Sequence, residues 1–165
     1  MNEPTNSHPE SKRGLLRHTL AALAYRSGRA LRDAPAGFGE FNPGHGLRTP
    51  GEILAHMGDL FDWALSIAAG QQKWHNSKPL AWDDEVGRFF AALKKLDDFL
   101  ASSAPLEAPL ERLFQGPIAD ALTHVGQLAI LRRMSGSPTK GENYYVADIE
   151  AGRVGLDQAK PKREF

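Results

Sequence analysis

Thr49-Pro50-Gly51-Glu52-Ile53-Leu54-Ala55-His56-Met57 reads as the opening of a helix. Thr49 suits the N-cap, Pro50 the first helical position where its missing N–H costs nothing, and Glu52 the place from which a side chain reaches back to complete a capping box. Beyond it Ile53, Met57, Leu60, Trp63, Ala64 and Ile67 keep to one helical face until Gly70 supplies a stop. His56 falls inside that apolar arc. An imidazole where packing favours leucine needs a hydrogen bond or a metal, because burying it without a partner costs roughly 1 to 3 kcal/mol.

The same period extends in both directions. Upstream, Leu16, Leu20, Leu23, Ser27, Ala30 and Leu31 predict a helix over about 9–33, with Arg17, Arg26, Arg29 and Arg32 on its other faces. A long loop rich in proline and glycine, including Asn42-Pro43-Gly44-His45-Gly46, separates it from the second helix. Downstream, residues 71–82 show no period and contain Lys78-Pro79. At ~3.3 Å per extended residue this connection can run the length of a helix. A third helix begins at about Asp83, with Val86, Phe89, Phe90, Leu93, Leu96 and Leu100 inward and Arg88, Lys94, Lys95, Asp97 and Asp98 outward.

After a break at 102–109, Leu110 to Gln115 forms a short helical lead and Gly116 bends or restarts the chain. Pro117 then suits the first turn of a fourth helix. Its inward positions are Ala121, His124, Leu128 and Leu131, and Arg132 and Arg133 lie near the end of the dipole that favours cations. Gly136-Ser137-Pro138 ends it, and a short extra helix near Tyr145 to Ala151 precedes a basic tail. Four amphipathic helices without period-2 segments predict an all-α, four-helix bundle, one domain over 1–165 with less regular tails at 1–8 and about 153–165.

Composition narrows the function classes. Twenty basic and twenty acidic side chains leave a formal net charge of zero, so no overall field draws nucleic acid or an anionic membrane surface. No cysteine is present, which removes disulfides, thiolate ligands and a cysteine nucleophile. Thiol chemistry then needs a thiol cosubstrate. The polar first residues lack the pattern of a secretory signal, and no apolar run approaches the roughly 20 residues of a membrane span, so a soluble cytoplasmic protein is the expectation. Phosphate-loop, dinucleotide-binding and H-E-x-x-H signatures are missing from the sequence, and Ser137-Pro138-Thr139-Lys140 matches S-x-x-K only after a helix stop.

Asp120 and His124, four residues apart, lie one above the other on a helix face, so both reach one ion; His56 on a facing helix supplies a third ligand. Two imidazoles and one carboxylate leave coordination positions free, as in catalytic zinc or non-haem iron sites. A plainer reading stands beside this one. Lone histidines on apolar faces are more often hydrogen-bonded core groups, and an acid in the first turn after Pro117 is what the helix dipole favours in any protein. His8, His18, His45 and His75 are weaker candidates, most of which read as solvated, and Phe61 and Trp63 read as core.

Arg48-Thr49-Pro50-Gly51-Glu52-Ile53-Leu54-Ala55-His56-Met57, together with His124-Val125-Gly126-Gln127-Leu128, resembles the DinB/YfiT-like superfamily. Asn143-Tyr144-Tyr145 and Gly152-Arg153-Val154-Gly155 resemble one branch of it. The resemblance implies an up-down-down-up bundle, often a homodimer, holding a divalent metal (Zn, Ni or Fe) through one histidine on helix two and two, four residues apart, on helix four. His56 and His124 match that pattern, and Asp120 stands where the usual ligand is histidine. Thiol-dependent S-transferase chemistry, with a low-molecular-weight thiol acting on a small-molecule substrate, is the activity it implies. A non-catalytic, stress-related bundle with structural histidines and a metal-dependent hydrolase are the alternatives. Tyr144 or Tyr145 is a candidate cover for the site.

Overall fold

Each of the four periodic segments is helical. In the computed structural model, which describes residues 9–165, helix α1 spans Pro9–Leu31, α2 Pro50–Ala68, α3 Trp82–Ala101, α4 Leu110–Leu113 and α5 Ala119–Met134. The expected tail at 1–8, His8 included, lies outside the described residues. Among the described residues there is no strand, only an isolated bridge between Glu142 and Glu164. The fold is all-α.

The opening of α2 forms as its residues dictate. Thr49 Oγ1 accepts from the Glu52 N–H at 3.3 Å while Glu52 Oε2 accepts from the Thr49 N–H at 2.8 Å. Gly70 follows the helix with φ 75°, a left-handed conformation glycine adopts without strain. The stripes meet in one core. Leu16, Leu20 and Leu23 of α1, Ile53, Met57 and Leu60 of α2, the six apolar positions from Val86 to Leu100 on α3, and Ala121, Leu128 and Leu131 of α5 are all buried there.

Four expectations are corrected. Gly116 does not restart the chain: α4 continues through a π turn at Phe114–Ile118 directly into α5. The wider turn dispenses with the N–H that Pro117 lacks and relieves its ring against the carbonyl four residues back. One inserted residue also advances the helix by about 100°, which sets the face on which Asp120 and His124 emerge.

Arg132 does not serve the dipole of its own helix. It is buried and its guanidinium donates to the carbonyls of Ala30, Arg32 and Asp33, the free acceptors at the end of α1, at 2.9–3.2 Å. Asp97, expected outward, is buried beneath a two-point pair with Arg17 at 2.9 and 3.1 Å. The extra C-terminal helix is seen only as a 3-10 turn over Tyr144–Val146.

That C-terminal segment explains a second buried face on α1. Ala21, Ala24 and Tyr25 lie outside the predicted stripe yet are buried. The Tyr25 hydroxyl donates to Glu142 at 2.6 Å, Arg29 pairs with Glu142 at 3.1 Å and Glu164 at 3.0 Å, and Arg32 donates to the Leu156 carbonyl. No helix among the described residues is long and apolar enough to cross a membrane.

Candidate metal centre

His56 projects from the second turn of α2 and Asp120 and His124 from the first turns of α5, and the structure brings all three together. His56 Nε2 is 3.4 Å from Asp120 Oδ2, and His124 Nε2 is 3.4 Å from Asp120 Oδ1. The imidazole centroids are 5.0 Å apart with their planes near perpendicular, and the donor atoms all lie within 4.8 Å of one another. Each nitrogen–oxygen separation is long for a hydrogen bond, which is usually 2.7–3.2 Å. It suits a shared ion, because two donors at 2.0–2.2 Å from one tetrahedral ion stand roughly 3.3 to 3.6 Å apart. The donor set therefore fits a divalent transition metal.

The protonation states favour the same use. Gln127 Oε1 lies 2.7 Å from His124 Nδ1 and accepts a hydrogen bond from it, which turns Nε2 toward Asp120 as the nitrogen available to a metal. Burial, aided by His124 and the positive charge of Arg48, outweighs Asp120 and holds the His56 imidazole below its usual pKa. A neutral imidazole is the form that binds a metal.

Sequence reading missed the roof of this site. Trp74, in the connection after α2, stands edge-on to His56 with centroids 5.8 Å apart and to Trp63 at 5.6 Å. His56, Leu60, Trp63, Gln72 and Trp74 line a cleft of about 470 Å³. Phe61 is core, as expected, but Trp63 is half-buried and borders the cleft. Tyr144 instead meets Tyr25 and Arg26 on α1, and Tyr145 is 96% exposed, so neither covers the site.

The connection is held in place by a charged network that the sequence reading also missed. Asp59, buried on α2, accepts from the Ser77 N–H and hydroxyl at 2.7 Å each and from Arg88 of α3. Burial opposes ionisation of Asp59, yet these hydrogen bonds outweigh it and hold its carboxyl below the usual range. His75, His18 and His45 are all exposed as expected, but His75 also lies 2.9 Å from Asp59. Arg88 lies so close to Gly58 that a Cβ there would stand 2.6 Å from its Nη1, and the guanidinium also reaches the Ala55 carbonyl and Glu85 at 3.0 and 2.9 Å. Asp59, Asp62 and His75 thus resemble a second ligand set, but Arg88 already supplies the cation at its centre.

A second cleft, of about 490 Å³, opens on the other side of His124 between α5 and the loop before α2, with Gln127 and Arg48 on its wall. No family model, curated protein or solved structure matches the chain, so its chemistry is read from this geometry.

Proposed function

We propose that this chain is a metal-dependent enzyme of the DinB/YfiT-like type, in which His56, Asp120 and His124 hold a divalent ion and a small thiol is the cosubstrate. The observation that carries the reading is the pair of 3.4 Å nitrogen–oxygen separations about Asp120, joined to the tautomer of His124 set by Gln127. An ion held there supplies Lewis acidity, which favours the thiolate form of a thiol. The protein's own residues do the rest: Gln127 orients His124, the connection carrying Trp74 shields His56, and the two clefts admit ligand from either side of the imidazoles.

An up-down-down-up course of the bundle belongs to the same reading and is supported by where the helix ends meet. Lys12 pairs with Glu111 at 2.8 Å and Arg132 reaches the Ala30 carbonyl at 3.0 Å, which sets α1 alongside α4 and α5 in one direction. Arg13 donates to the carbonyls of Ser102 and Ala104, joining the start of α1 to the end of α3. The Glu107 N–H donates to the Ala68 carbonyl, joining the end of α2 to the approach to α4. The homodimer expected from the resemblance is testable by light scattering of the eluting peak.

Zinc, nickel and ferrous iron titrated into chelator-treated protein decide the reading. One ion per chain and a melting temperature that rises with metal are expected, since a ligand at 100 times its Kd adds about 2.7 kcal/mol to the native state. Stability indifferent to chelator and to all three metals overturns it and leaves the histidines as core groups. Turnover of an electrophile only when a thiol is present separates transferase from hydrolase chemistry.

A further inference from the structure

The cleft on the far side of His124 is apolar in an unusual way, because its large side chains face water. Leu47 and Ile130 are each 61% exposed and Met134 53%, and all three line the cleft. Ile130 and Met134 recur with Gln127 at helical spacing on α5, while Leu47 comes from the loop before α2. Apolar side chains gathered on one exposed surface mark a binding site more often than an accident of composition.

Arg48 stands in the same wall. Among the described residues its guanidinium makes no ion pair and no hydrogen bond, in contrast to Arg17, Arg29, Arg88 and Arg132, each of which is engaged by carboxylates or carbonyls. Arg48 and His124 line the same cleft, so the cation shares that cleft with one of the candidate ligands. With a divalent ion in place, Arg48 and the ion face only the single negative charge of Asp120. The inner end of an apolar cleft is then positive without a counter-charge from the protein.

We propose that this cleft binds a small aliphatic carboxylate, its carboxylate on Arg48 and its chain against Ile53, Ile130 and Met134, as the substrate class of the metal site. One guanidinium matches a monoanion, and its planar fork fits a carboxylate through two parallel hydrogen bonds. The proposal rests on the metal reading in making this anion a substrate, because His124 forms part of the same wall.

Octanoate, octan-1-ol and acetate titrated calorimetrically into metal-free protein test it, with zinc titrated into the same preparations. Octanoate is expected to bind once per chain, with octanol and acetate each at least about tenfold weaker, the arginine–carboxylate bond and the buried chain each exceeding one factor of ten. Arg48→Gln is expected to weaken octanoate by about tenfold while leaving octanol unchanged. Arg48 is exposed and bonds to nothing among the described residues, so that variant keeps the fold. Ile130→Ser, at an exposed position, is expected to weaken octanoate and octanol alike.

Octanoate that fails to bind, binds no better than octanol, or ignores Arg48→Gln overturns the proposal. Zinc binding without octanoate binding overturns it alone and leaves the metal reading in place. Octanoate binding that depends on Arg48, in a protein that takes up no metal, overturns the metal reading and with it the role of substrate, while the carboxylate site stands.

Discussion

Gln127 lies one turn beyond His124 on α5, and its side-chain oxygen accepts the Nδ1–H of that histidine at 2.7 Å. The contact places a proton on Nδ1 and turns His124 Nε2 toward Asp120. Hydrogen bonds of this kind typically change metal affinity by 10- to 100-fold when lost. Gln127→Leu is therefore expected to weaken zinc binding by about 10-fold or more, whereas Gln127→Glu, which keeps the acceptor, retains it. Competition with a chromophoric chelator measures both. Equal affinities for Gln127→Leu and the parent chain would show that the contact does not tune the site.

Removing a ligand should act more strongly than removing its orienter. His56→Ala and His124→Ala are each expected to weaken zinc by more than about 100-fold, and Asp120→Ala by a similar factor. Asp120→His creates a set of three imidazoles at the same helical spacing and is expected to bind zinc at least as well as the parent. Calorimetry on the four variants reads this directly. Tight binding by both His56→Ala and His124→Ala would place the ion elsewhere.

Arg88 is predicted to be a structural cation, not a catalytic one. Arg88→Met leaves the buried Asp59 carboxylate without its charge partner, and breaking such a pair costs about 3 to 5 kcal/mol. Residues around Ser77 then lose their anchor, so Trp74 fluorescence is expected to shift toward that of a solvated indole. Urea unfolding with tryptophan emission checks both effects. A loss below about 1 kcal/mol would show that the network contributes no more than a surface pair.

The metal-free protein should lose stability on acidification in two separate windows. The folded His56 pKa lies below its usual value near 6.5, so the unfolded chain binds the proton first; this contribution is complete above about pH 6.5 and falls as pH drops through the folded value. Asp59 is also depressed, from a carboxylate value near 3.9, so its contribution persists to lower pH and is lost only below that. Denaturant midpoints across about pH 2 to 8 should show both steps, and His56→Gln should remove only the upper one. An upper step that survives His56→Gln would assign it to another group.

The helices and the three candidate ligands are local statements, and the residues alone determine them. The capping box at Thr49 and Glu52, the stripes on α1 to α3 and the placement of His56 and His124 within apolar arcs follow from spacing, because helical periodicity depends on near neighbours in the chain. Asp120 is legible as a helix-start acid, but whether its carboxylate lies between two imidazoles depends on how α2 meets α5 and on the π turn at Phe114–Ile118. No periodic pattern records that turn; Gly116-Pro117 signals only that something is irregular there.

Everything that crosses from one segment to a distant one needed the tertiary structure. Arg132 resembles a dipole-matched residue until its guanidinium meets the end of α1, and Asp97 resembles a surface acid until Arg17 lies over it. Trp74 and His75 sit in a stretch without period, where nothing local says that Asp59 and Arg88 will draw them against the ligand helices. The physical reason is the same throughout: burial and charge pairing join residues remote in sequence. The chain by itself marked the candidate ligands, and packing decided what surrounds them.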